Sequence, residues 1–243
     1  MIKLYNDSCI LRLPEVHVDY NESVIITSPH YNMNLRIQNG KFVSRWKAKG
    51  NETHFATKYS AYLDDLSLED YYYFQKNFLE LALNTAHLIF YNIQMVTGNK
   101  IALLKLMGKF APKIKDIIIW DKISGQPAMN KGCLNSRYEF IIVFSRDDGL
   151  KRSFENPLFE RGTLDNLWQI KREKNKYIKA GFPTALIEKI IDNFIPKNSV
   201  IIDPFMGSGT TGIVAKNKGY KFIGIEQDLE MFNIAKERIE GVQ

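Results

Sequence analysis

Two short stretches of this chain concentrate residue types able to do chemistry. The first is "VIITSPHYN", residues 24–32, where an apolar run that reads as a buried strand stops in Ser28, Pro29, His30 and Tyr31. Tyr31 offers a flat face on which a nucleobase could stack, a contact worth about 1–3 kcal/mol. Ser28 and the carbonyl of Pro29 offer hydrogen-bond acceptors. The exocyclic amino group of adenine or cytosine is a poor nucleophile because its lone pair is spread into the ring. Acceptors that hold its hydrogens localise that pair, and stacking aligns the ring for in-line displacement. Taken alone, S-P-x-Y is equally well explained as a turn after a strand.

The second stretch is "VIIDPFMGSGTTG", residues 200–212, with the spacing Gly207-x-Gly209-x-x-Gly212 between an expected strand and an expected helix. Glycines there let a ligand approach the backbone more closely than a Cβ allows, and the helix start presents unpaired N–H groups. Glu226 ends the next strand, "KFIGIE", where an acid accepts hydrogen bonds from the hydroxyls of a ribose. The pattern predicts a nucleoside-containing ligand. No Lys-Ser/Thr pair follows the glycines, which argues against a P-loop NTPase. A dinucleotide oxidoreductase would carry several more βα units, whereas only about 30 residues follow. The carboxylate of Asp203, just ahead of the glycines, would repel a pyrophosphate but suits the cationic methionine part of S-adenosylmethionine. A nicotinamide dinucleotide is the weaker alternative.

These residues need a scaffold to bring them together, and the rest of the chain reads as one. Its 243 residues are 45% hydrophobic and 25% charged, an ordinary globular composition, with a formal net charge of +6 that suits a polyanionic partner. Cys9 and Cys133 lie in neither a C-x-x-C nor a histidine cluster, so no disulfide framework and no metal site is expected. The absence of a signal-peptide layout or a long apolar run predicts a soluble, cytoplasmic protein with no membrane partner. Short apolar runs alternate with amphipathic ones, the βα rhythm. Strands are expected at "VIIT", "HLIFYNI", "IKDIIIW", "YEFIIVFS", "VIID" and "KFIGIE". Helices are expected over 68–86, at "NKIALLKLMGKF", over 183–194, at "GIVAKNKG" and at "LEMFNIAKERIE". The tyrosines at 71–73 read as core or helix surface rather than as a stacking platform. Two stretches break the rhythm. Residues 34–58 carry Arg36, Lys41, Arg45, Lys47 and Lys49 without periodicity, and residues 146–179 are charged with both signs. Loops of this length are usually functional or mobile.

With both motifs in view, "TSPHYN" resembles the (D/N/S)-P-P-(Y/F/W) motif, and "DPFMGSGTT" the cofactor motif, of the DNA amino-methyltransferases that modify adenine N6 or cytosine N4. Their order, catalytic motif first, is similar to that of the family's β class, and the resemblance covers nearly the whole chain. It implies a single catalytic domain over 1–243, built as a doubly wound α/β fold. The implied sheet is Rossmann-like, mostly parallel and seven-stranded, with circularly permuted motif order. It implies S-adenosylmethionine as cofactor, held by Asp7, Asp203, Pro204, Phe205, Gly207, Gly209, Thr210 and Glu226. Ser28, Pro29, His30 and Tyr31 would hold a base flipped out of DNA. It also implies a short target-recognition segment over 146–179, while the basic stretch with Arg36, Lys41, Arg45, Lys47 and Lys49 is expected to grip the phosphate backbone. A homodimer and a cognate restriction enzyme are further partners it leaves open. The third motif position is His30 where the family has proline, and "YIKAGFP" lacks a His-Pro pair. Ser28 leans toward cytosine N4 but does not decide the base. RNA or a protein amide as acceptor, or a catalytically weak DNA-binding relative, are the alternatives.

Overall fold

The computed structural model describes residues 1–44, 64–127, 131–147, 149–173 and 181–241. In chain order the elements are β1 (Ile2–Asn6), α1 (Cys9–Arg12), β2 (Ser23–Thr27), β3 (Leu35–Gln38), β4 (Lys41–Ser44), α2 (Leu68–Thr85), β5 (Leu88–Ile93), α3 (Lys100–Lys109), β6 (Ile114–Gln126) and β7 (Ser136–Phe144). They continue with β8 (Leu167–Gln169), α4 (Thr184–Phe194), β9 (Val200–Asp203), α5 (Thr210–Asn217), β10 (Lys221–Glu226) and α6 (Leu229–Glu240). Eight strands form one mixed sheet in the order β1-β10-β9-β2-β5-β7-β6-β8, and β3 and β4 form a separate hairpin. From β1 to β5 all neighbours are parallel; β7 runs antiparallel to both β5 and β6, and β8 is parallel to β6.

The continuous apolar runs become strands buried on both faces, as parallel strands with helices on each side require. In β2, β5 and β9 every residue is buried. Alternate residues point to opposite cores. Val24, Ile26, Phe90 and Ile201 pack with Ile187, Ile190, Val214 and Ala235, placing α4, α5 and α6 on one face. Ile25, Ile89, Tyr91 and Ile202 pack with Cys9, Phe78, Ala82 and Leu103, placing α1, α2 and α3 on the other. Helix α2 starts where the sequence supplies a cap: Ser67 Oγ accepts from the Asp70 N–H at 3.1 Å, and Glu69 and Asp70 lie in the first turn.

The sheet has eight strands, not the seven expected. Beyond the six strands named from the sequence, Ile2–Asn6 pairs with β10, and Leu167–Gln169, inside the charged 146–179 stretch, pairs with Ile119–Asp121 and buries Trp168 to 1% exposure. The 34–58 stretch, expected to lack regular structure, opens with the β3–β4 hairpin, turned at Asn39 and Gly40 with φ of 50° and 75°. No helix among the described residues is long and apolar enough to cross a membrane.

Candidate active site at the switch point of the sheet

The chain leaves β2 toward α2 on one face and leaves β9 toward α5 on the other, although the two strands are parallel neighbours. Crossovers that part in this way open a crevice at the carboxyl ends of the strands. Both motifs lie in it, since the SPHY loop follows β2 and the glycine loop follows β9. Thr27 Oγ1, at the end of β2, donates to Asp203 Oδ1, at the end of β9, at 2.8 Å in a buried position, and the rings of His30 and Phe205 meet edge to face at 6.4 Å between centroids. Thr211 Oγ1 donates to Asp203 Oδ2 at 2.7 Å and the Phe205 N–H to Oδ1 at 3.2 Å. Burial nevertheless outweighs these donors and raises the Asp203 carboxyl to about 6.

Glu226, at the end of β10, is buried as well. Its Oε2 accepts from the Gly207 N–H and its Oε1 from the Asp228 N–H, both at 2.8 Å. Burial raises this carboxyl to about 7, with the charges of Asp228 and Asp203 adding to the effect. Each carboxylate oxygen accepts more than one hydrogen bond, so both keep a lone pair for the hydroxyls of a diol. Gly207 and Gly209 have φ of 54° and 81°, a region that favours glycine. Gly209 also lies against α6, where a Cβ would sit 3.0 Å from that of Ala235. Pro204 is buried and Phe205 packs its edge on Phe78 at 4.9 Å between centroids. Asp7 joins this group through its N–H, bonded to the Glu226 carbonyl at 3.1 Å, while its carboxylate is held by Arg12 and the Ser8 N–H. Thr210 opens α5 half-buried, and Thr211, which the sequence reading passed over, is the threonine on Asp203. Two buried carboxylates and a glycine turn fit a cationic ligand with a ribose diol, and would repel a pyrophosphate.

On the other wall Tyr31 is 8% exposed and its hydroxyl is enclosed in polar contacts. Tyr31 Oη donates to Glu139 Oε2 at 2.8 Å, lies 2.9 Å from Ser28 Oγ, and accepts from Asn92 Nδ2 at 2.6 Å. Asn92 Nδ2 also donates to Glu139 Oε2 at 2.6 Å, and Lys122 Nζ pairs with Glu139 Oε1 at 2.7 Å. Asn92, Lys122 and Glu139 were not singled out by the sequence reading. Their signal was a lone polar residue inside or beside each apolar run of β5, β6 and β7.

The loop itself is held rigid. The Tyr71 hydroxyl donates to the His30 carbonyl at 2.9 Å. Asn32 takes φ of 58° and donates its side-chain N–H groups to the carbonyls of Leu66 and Gly98, each at 2.9 Å. The His30 ring packs on Tyr71 and Phe74 at 5.2 and 5.0 Å, with Nδ1 3.3 Å from Asp64 Oδ1. Burial lowers its pKa despite Asp64, so a neutral packed ring is the form it takes. That arrangement agrees with packing rather than proton transfer.

Of the cations expected to meet DNA, Arg36 and Lys41 lie on the β3–β4 hairpin, while Arg45, Lys47 and Lys49 lie outside the described residues. The hairpin is anchored beside the crevice, where a Cβ on Gly98 would sit 3.1 Å from that of Leu35. The 146–179 segment is divided. The Arg146 carbonyl accepts from Lys113 Nζ, Arg152 bonds Asp116 at the start of β6, and Leu158 bonds Asn193 at the end of α4. Those partners lie at the edge of the sheet opposite the crevice. Only after β8 does the chain return to the crevice side, where Arg172 reaches the Ser124 carbonyl at 3.4 Å.

The type II methyltransferase M2.LlaDCHI of Lactococcus lactis subsp. cremoris is 34% identical over 137 residues, 52% of this chain and 51% of that protein. The chain thus spans about half the length of the curated relatives that it matches. The PvuII DNA methyltransferase (cytosine-N4-specific) shares the fold with a TM-score of 0.68 at 18% identity, over 98% of this chain and 86% of that one. The M1.HpyAVI–SAM complex does so with a TM-score of 0.60 at 20% identity, over 98% of this chain and 100% of that one. The family model described as DNA methylase, that of the N6/N4 methyltransferases, matches residues 23–237, and the chain belongs to that family.

Proposed function

We propose that this protein transfers a methyl group from S-adenosylmethionine to the exocyclic amino group of a base, adenine or cytosine, flipped out of DNA. The observation that carries the reading is the Thr27–Asp203 hydrogen bond, which joins the ends of β2 and β9, the neighbouring strands that lead into the SPHY loop and the glycine loop. S-adenosylmethionine, when bound, supplies an electrophilic methyl group on a sulfonium. Asp203 and the Gly207–Gly209 turn would hold its methionine part and Glu226 its ribose, with Asp7 nearby. Ser28 and the Pro29 carbonyl would accept the amino hydrogens, and the Tyr31 ring would stack on the base. No general base of high strength is needed before the transfer, because the acceptors localise the lone pair.

The order of the loops, SPHY before the glycines, supports the permuted arrangement of the β class. The hairpin cations and residues after β8 are the candidates for contact with the duplex, and the amino-edge part of 146–179 is not. The likeness to type II methyltransferases supports a restriction-modification setting, with a cognate endonuclease as the cellular partner. The test is transfer of labelled methyl from S-adenosylmethionine to DNA, RNA and protein offered separately. Label on an amino nitrogen of DNA is the expected result. Label only on RNA or protein, or on no acceptor, overturns the reading.

A further inference from the structure

The hydroxyl hydrogens around Tyr31 can be placed by elimination. Glu139 forms an ion pair with Lys122 at 2.7 Å, 6% and 3% exposed, so its carboxylate can only accept. The Tyr31 proton therefore points to Glu139 Oε2. Asn92 must turn its NH₂ toward the same carboxylate, and that NH₂ also donates to the Tyr31 oxygen. With its one proton committed, the Tyr31 oxygen can only accept from Ser28, 2.9 Å away. Ser28 thus spends its own proton on Tyr31 and can only accept from its other neighbours, among them Asn92 Nδ2 at 3.4 Å.

We infer that Glu139, held by Lys122, is a positioning residue that fixes Ser28 as an acceptor for the amino group of the target base, acting through the Tyr31 hydroxyl. The inference rests on the proposed methyl transfer and assigns work to three residues, on β5, β6 and β7, that neither motif contains. Its logic is one of polarity. A Ser28 free to turn its proton toward the base would offer a donor to a group that has hydrogens to give, and would not localise its lone pair.

Glu139→Gln removes the fixed polarity of the chain with little change of shape. Lys122 has only donors, so the glutamine carbonyl must face it and the glutamine NH₂ must face Tyr31. Asn92, 2.6 Å from the same oxygen, must then turn its carbonyl to the glutamine NH₂, and Tyr31 gives its proton either to Asn92 or to Ser28, so the Ser28 proton is no longer held away from the base. We expect E139Q to lower kcat by about tenfold to a hundredfold, with affinities for S-adenosylmethionine and DNA within about twofold. In a Tyr31→Phe background, which keeps the ring but cuts the relay, the same substitution should cost less than about twofold.

Equal losses in both backgrounds, or an unchanged kcat in E139Q, overturn the inference. So does a Tyr31→Phe enzyme with full kcat, a result that decides the matter even should E139Q fail to fold. A readout independent of turnover is the ¹³Cζ resonance of Tyr31, identified by its loss in Tyr31→Phe. It should move in E139Q, and an unmoved resonance overturns the inference in an active or inactive protein alike. A wild-type chain that transfers no methyl to DNA would instead sink the proposed function, so the two failures are distinguishable.

Discussion

At the scale of single residues, the cofactor side carries a charge balance that can be measured. Asp203 and Glu226 are buried carboxyls raised to about 6 and about 7. Raised values mean that the folded chain binds more protons than the unfolded chain between about pH 4 and 7. Stability without ligand should therefore fall as pH rises through that window. A sulfonium reverses the preference because it favours the ionised forms. Affinity for S-adenosylmethionine should fall by about tenfold or more between pH 8 and pH 6, as Glu226 and then Asp203 take up protons. Calorimetry in buffers of different ionisation enthalpy near pH 7 should show protons released on binding. Affinity that is flat across this range would mean that neither carboxylate faces the cation. The motif carboxylates, the glycines and the SPHY loop were legible in the sequence because each belongs to a dense cluster of unusual types. Thr27, Thr211, Asn92, Lys122 and Glu139 were not. Each is a polar residue in or beside a largely apolar element, and only the register of neighbouring strands, or for Thr211 the packing of α5 beside β9, shows that they meet.

At the scale of elements, legibility followed hydrophobic pattern. The central strands and the long helices announce themselves by apolar runs and helical spacing, and the structure places them within a few residues of expectation. The 146–179 stretch hid β8 because three residues with one buried tryptophan cannot display a period. The hairpin did carry a signal in Asn39-Gly40, the pair that tolerates positive φ at both turn positions, but its strands are only four residues each, too short to display a clear period. The glycine loop shows what such local geometry is worth. Gly209 combines φ of 81° with a prospective Cβ 3.0 Å from Ala235, so Gly209→Ala meets both backbone strain and the flank of α6. We expect it to destabilise the chain by about 1–3 kcal/mol and to weaken cofactor binding. Chemical denaturation with and without S-adenosylmethionine checks both effects, and unchanged stability would show that the turn has room to relax.

At the scale of the whole molecule, the sheet separates its charges between two edges, a distinction invisible in the sequence, where all lysines and arginines look alike. The crevice, the β3–β4 hairpin with Lys41, and the return of the chain after β8 share the carboxyl edge. Arg152 sits at the opposite edge, paired with Asp116 at 2.8 Å. A duplex that delivers a base to Tyr31 must lie across the first edge, and it cannot also lie across the second. Phosphate contacts are counted by the salt dependence of binding, which falls by about 0.9 in log–log slope for each contact removed. Lys41→Ala should therefore weaken DNA binding and lower the slope by about one contact, whereas Arg152→Ala should change neither. Titrations at several salt concentrations with a fluorescent duplex separate the two. If Arg152 carried a contact and Lys41 none, the duplex would lie on the face away from the crevice. The basic stretch after β2 would then be a solvated loop, and the base would have no route to the SPHY loop.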